Sequence, residues 1–238
     1  MFLWIIAAVV AFFIKGLCGF ANTLIFTSIL SFGTVNINIS PVELVLGLPS
    51  NIIQAIRNRK QLNPRIFIPL ALLVIAGSIP GAFLLKNVDP KYIKIFFGFV
   101  IVLLAVEMLL RESNKVRFKE SKIVLGIIGF LSGILCGLFG IGALLAAYIS
   151  RTTKSSDEFK AHVGAVFIIE NTFRIILYSV MGIITLASLK QSLILLPFML
   201  LGLWLGIMSS KRLNEKVIKK AIIILLIISG LMMIITNL

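Results

Sequence analysis

The chain reads as an all-α polytopic membrane protein made of two inverted-topology repeats, each a glycine-broken helical hairpin followed by three transmembrane helices. Three observations predict this. Hydrophobic residues make up 59% of the 238 residues and charged residues only 13%, more apolar surface than a soluble domain can hide. Motifs of the first half recur, in the same order, in the second. Finally, the positive charges fall on one side of a bilayer only if the two halves run in opposite senses.

The first repeat is expected over 1–111, as a hairpin at 2–33 and helices at 41–59, 65–86 and 91–111. A polar, charged linker at 112–122 leads to the second repeat, 123–238, with a hairpin at 123–150 and helices at 158–181, 186–209 and 214–237. A hydrocarbon core of roughly 30 Å needs about 20 apolar residues per helix. A single helix over 2–33 would be about 48 Å long, whereas two pieces of about 15 residues span about 22 Å each. Gly16 and Gly19 in the first hairpin, and Gly133, Gly137, Gly140 and Gly142 in the second, mark the expected breaks. Glycine costs about 1 kcal/mol in a helix interior, so clusters of it signal a bend or a close backbone contact. The alternative for these glycines is plain helix packing, the role assigned to Gly77, Gly81, Gly202 and Gly206.

The duplication rests on three matches in register. Leu17-Cys18-Gly19 answers Leu135-Cys136-Gly137, Gln54-x-x-Arg57 answers Asn171-x-x-Arg174, and Gly77-x-x-x-Gly81 answers Gly202-x-x-x-Gly206. Eight simple crossings would divide the basic residues almost evenly between the two sides. If each first segment instead enters and leaves on the same side, only Lys86, Lys91, Lys94 and Lys190 remain outside. The N-terminus is then outside and the basic loops face the cytoplasm. The opening Met1-Phe2-Leu3-Trp4 lacks the positive leader of a cleavable signal and is expected to stay attached.

The net charge of +14 comes from residues at segment ends, where they set orientation and meet lipid headgroups, so no nucleic-acid partner is expected. The single His and the scattered acids assemble no metal site of the usual kind, and no cofactor is expected. Paired catalytic groups are missing too, which argues against an enzyme.

Charged and polar residues inside apolar runs are costly, about 2.5–3.5 kcal/mol for a centred charge, and must face a cavity, a partner or the bundle interior. The candidate substrate-binding residues are therefore Lys15, Cys18, Asn22, Thr23, Asn51, Gln54, Cys136, Glu170, Asn171 and Arg174. Glu170 and Arg174, one helical turn apart, read either as a self-neutralising pair or as an anion contact with its neutralising or proton-carrying partner. Asn22 and Thr23 fit either a site or the freed backbone of the break. Cys18 and Cys136 suit tight packing or contact with a sulfur-containing substrate. Three others are read as structural: Arg57 as an interfacial anchor, His162 as interfacial, and Glu43 beside Pro41 as an acid at the outer start of its helix. Half-helix N-termini converging near the midplane would offer an anion a site needing few full charges.

At Gly133-Ile134-Leu135-Cys136-Gly137-Leu138-Phe139-Gly140-Ile141-Gly142 and at Ala76-Gly77-Ser78-Ile79-Pro80-Gly81 the chain resembles the sulfite exporter TauE/SafE family of membrane permeases. It departs from the family's glycine pattern at Ala21-Asn22-Thr23 and at Ala143. The resemblance implies a carrier in the cytoplasmic membrane for sulfite, organosulfonates or related sulfur-containing or carboxylate anions, working by alternating access. The small anion and the lipid bilayer are the expected partners. Coupling to protons or to the membrane potential stays open, as does a homodimer. An anion channel and a non-transporting scaffold or assembly factor are the alternatives.

Overall fold

The computed structural model describes residues 1–30, 36–87, 95, 98–99, 101–103, 105–106, 109–110, 122–139 and 142–236. The helices with printed bounds are α1 (Phe2–Cys18), α2 (Asn22–Leu30), α3 (Asn36–Arg57), α4 (Pro64–Asn87), α5 (Lys122–Phe139), α6 (Ala143–Thr152), α7 (Ser156–Val180), α8 (Leu186–Arg212) and α9 (Glu215–Ile235), with a short 3-10 turn at Arg59–Gln61. The described residues between 95 and 110 are helical as well. Most of the expected linker at 112–122 and the start of the expected helix at 91–111 lie outside the described residues.

Among the described residues, four helical stretches are long and apolar enough to cross a membrane: Ile39–Arg57, Pro64–Gly81, Ser156–Val180 and Leu186–Arg212. Large apolar side chains such as Leu72, Leu103, Ile176, Leu193, Trp204 and Ile235 point outward, as expected of a bundle whose solvent is hydrocarbon.

Both expected hairpin segments are interrupted. α1 stops where Gly19 turns to φ 95°, its N–H bonding back to the Lys15 carbonyl at 2.7 Å, and Ala21 adopts φ 73° before α2 begins. Gly19 takes up the left-handed conformation without a steric penalty. Ala21 does so with a β-carbon, a strained choice that costs about 1–2 kcal/mol. In the second segment α5 ends at Phe139 and α6 starts at Ala143.

The break is narrower than the glycine clusters suggested. Gly133 and Gly137 lie inside α5, where a β-carbon would run into backbone atoms of α4 at Val74, Gly77 and Ser78. Gly16 meets α8 in the same way at Leu203 and Gly206. These three are packing glycines that bring helix backbones together, so among the described glycines Gly19 and Gly142 belong to the breaks themselves, and Gly140 lies outside the described residues.

The principal packing pairs are α1 with α8, α4 with α5, and α3 with α7. One apolar core gathers Ala7, Ala11, Phe12, Phe26, Leu46 and Leu203 from α1, α2, α3 and α8. The other gathers Leu70, Val74, Leu135, Leu144, Val163 and Val166 from α4, α5, α6 and α7. The long helices α3 and α7 pack along one another between these cores, and their shared face carries the polar residues.

His162 corrects the interfacial reading. It is fully buried, its Nε2 3.2 Å from the Asn63 N–H and its Nδ1 2.7 Å from the Glu158 carbonyl. This ring ties the start of α7 to the turn between α3 and α4. The helix around Glu43 also starts earlier than expected, at Asn36, with Pro41 inside it.

Candidate anion site

Where the first break meets α3 and α7, a cavity of about 20 Å³ is lined by Lys15, Phe20, Ala21, Asn22, Thr23, Leu24, Glu43, Asn51, Gly142, Phe167, Asn171 and Arg174. That is room for about one water molecule. Residues from both broken segments and from both long helices contribute, which is what makes this point of the bundle polar.

Each broken helix presents a carbonyl of its last turn to a polar side chain of a long helix. Gln54 on α3 donates its amide Nε2 to the Lys15 carbonyl at 2.8 Å, and Arg174 on α7 donates Nη1 to the Cys136 carbonyl at 3.2 Å. Backbone that lipid could not satisfy is satisfied here by protein.

Arg174 is 2% exposed and Glu170 fully buried. The Arg174 Nε lies 3.0 Å from the Glu170 Oε1, an ion pair whose angle does not make a hydrogen bond, so both carboxylate oxygens keep spare accepting capacity. Arg174 also reaches the Asn171 Oδ1 at 3.4 Å, and its guanidinium lies 5.8 Å from the Tyr178 ring centroid. The amide of Asn171 fits against Gly47, where a β-carbon would come within 2.9 Å of Nδ2.

On the opposite wall Lys15 is 2% exposed, with its ammonium 5.8 Å from the Phe12 ring centroid. Glu43 overturns the structural reading given to it. It is buried and accepts a hydrogen bond from the Asn22 Nδ2, with Thr23, Lys15 and Arg174 within electrostatic reach. Asn51 lines the cavity with its Oδ1 buried and without a partner among the described residues.

Of the ten candidates, Lys15, Asn22, Thr23, Asn51, Asn171 and Arg174 line the cavity, and Glu170 stands behind Arg174. Gln54 supports the break instead, its Oε1 left without a partner among the described residues. The thiols of Cys18 and Cys136 are buried in the apolar core and are not part of the lining. Phe20 and Phe167 were not singled out in the sequence; Gly142, expected at the second break, lines the cavity as well, and a β-carbon on it would occupy the space of the Phe167 ring.

A larger cavity of about 560 Å³ lies past Gly16 and Gln54, between the ends of α1, α3 and α8 and the starts of α7 and α9. Its lining includes Arg57, Asn58, Asp157, Lys160 and Lys211. Arg57, expected at an interface, is exposed at this mouth.

The profile of the sulfite exporter TauE/SafE family matches residues 4–233. The chain belongs to this family. Neither a curated protein sequence nor a solved structure gives a match. As a member of the family the protein is a multi-pass membrane transporter of anions like sulfite, and not an enzyme. The small polar cavity between interrupted helices is the described feature best suited to that task.

Proposed function

We propose that the protein is a secondary transporter that binds a small sulfur-containing or carboxylate anion in the cavity between the two broken segments and moves it by alternating access. The observation that carries this reading is the meeting of Lys15, Asn22, Thr23, Asn171 and Arg174 around one enclosed space. An ammonium, a guanidinium, two amides and a hydroxyl are a donor set matched to sulfite or sulfonate oxygens. The cavity has room for about one water molecule, so an anion enters when the wall formed by Phe20, the start of α2 and Phe167 moves.

The two halves are read as inverted repeats. The crosswise pairing of α1 with α8 and of α5 with α4, with α3 against α7, is the pattern a pseudo-two-fold axis would produce. Motif order, the breaks in both first segments and the charge distribution support the same reading. The N-terminus then lies outside, and the 560 Å³ cavity with Arg57, Lys160 and Lys211 opens toward the cytoplasm as a basic vestibule.

Flux in proteoliposomes tests this. Sulfite, thiosulfate and alkanesulfonates are expected to show saturable flux and counterflow. Flux that never saturates would replace the carrier by a channel, and no flux or competition with any anion would overturn the reading in favour of a scaffold.

A further inference from the structure

Four charged side chains meet at the site from three helices: Lys15 on α1, Glu43 on α3, and Glu170 and Arg174 on α7. Two are cations and two are acids, so with all four ionised the site is neutral while empty. Glu170 is committed to Arg174 by their ion pair. Glu43 faces the cavity itself; its carboxylate accepts from the Asn22 amide and lies within electrostatic reach of Thr23. The other groups around it, among the described residues, are Asn171 from α7, the Cys136 thiol from α5 and, from α8, the Ser192 hydroxyl, which donates to the Ser188 carbonyl at 2.8 Å. Donors an incoming anion needs, Asn22 and beside it Thr23, therefore already face an anion belonging to the protein.

We propose that Glu43 is a proton-binding site coupled to substrate: ionised, it fills the donor set of the empty cradle, and it takes up one proton when an external anion replaces it. This rests on the anion-transport reading above and goes beyond it by assigning the coupling residue. The step balances simply. A proton from water on the open side adds to the Glu43 carboxylate, the neutral acid releases the Asn22 and Thr23 donors, and the anion takes them together with Lys15 and Arg174. The site's net charge is then the same with a bound monoanion as when empty. Without the proton, three negative groups would share a buried space with two cations, and low-dielectric repulsion would oppose binding. On the far side the anion leaves and Glu43 returns its proton to water.

Methanesulfonate is the probe, because as the anion of a strong acid its own charge does not change near neutral pH. Adding it to purified wild-type protein in weak buffer with a pH-sensitive dye is expected to draw up to one proton per anion bound. Its affinity for the wild type should fall by up to about tenfold per pH unit on the alkaline side. Glu43→Gln, which keeps the shape and removes the titration, should bind with little pH dependence and should lose proton-driven accumulation in proteoliposomes. Binding without proton uptake, or an unchanged pH slope in Glu43→Gln, would overturn the proton site and leave the transporter reading standing. Failure of the wild type to bind any small anion would overturn both. If Glu43→Gln does not fold, the wild-type proton count decides.

Discussion

Replacing Arg174 by Met separates the two roles its position allows, a charge that only neutralises Glu170 and a charge that meets the substrate. The side chains of the pair are 3% and 0% exposed, with Nε and Oε1 3.0 Å apart. Removing one member leaves a buried, uncompensated carboxylate, and such losses cost about 3–5 kcal/mol. Arg174→Met alone should therefore lower stability by roughly that amount. The double variant Glu170→Gln/Arg174→Met holds no unpaired charge and should recover most of it. Its remaining deficit is about 1 kcal/mol, for the lost bond to the Cys136 carbonyl. Substrate binding should not recover, because a hydrogen bond to a charged group contributes about 1.5–3 kcal/mol. Apparent affinity is then about 10- to 150-fold weaker in both variants. Thermal unfolding in detergent reads the first quantity and concentration-dependent uptake into proteoliposomes the second. A double variant that keeps wild-type uptake would refute the functional role and leave Arg174 as a structural cap of α5.

Three further variants and one labelling experiment test the remaining geometry. Ala21→Gly removes a β-carbon from a residue at φ 73° and should raise thermal stability, by up to about 1 kcal/mol once glycine's extra unfolded-state entropy is counted; a loss of stability would refute the strain. Gly142→Ala drives a β-carbon into the Phe167 ring and should distort the cavity wall, so substrate affinity should fall more than stability. Gly206→Ala presses on the α1 backbone at Phe13 and should cost about 1–3 kcal/mol in an unfolding titration, because neither backbone can yield. Cysteines introduced at Lys154 and Lys216 should react only with reagents that reach the cytoplasm; labelling from outside would overturn the inverted arrangement.

Much of the helix order was legible because the chain carries its own punctuation. Charged clusters at helix ends and glycines at the break after Cys18 act locally; the N-caps Ser155, Thr185 and Asn214, whose side chains accept from backbone N–H groups in the first turns, act locally too, though the expected helix bounds made no use of them. Locality is what a sequence reports. The roles of Gly16, Gly133 and Gly137 were harder to read because a glycine that breaks a helix and one that admits a neighbouring backbone look the same in one dimension. Which of them breaks the helix depends on where α4 and α8 run, and that is set by the packing of both halves together.

The site divides along the same line. Arg174, Glu170, Lys15 and Asn171 could be picked out because each puts charge or polarity deep in an apolar run, where it must be compensated. Glu43 obeys the same rule but was masked by Pro41, since a proline two residues before an acid is also the usual sign of a helix start. The helix begins at Asn36 instead, which carries Glu43 past the first turn and away from any helix-dipole role. Once the acid is inside, burial demands donors for it. The nearest available are Asn22 and Thr23, at the start of α2. A carboxylate on α3 and the polar pair at the break thus account for each other: remove either and the other is left buried without its partner. Glu43→Gln and Asn22→Ala should accordingly couple in a double-mutant cycle, by about 0.5–3 kcal/mol. Additive effects on stability would mean that the carboxylate does not rest on the break.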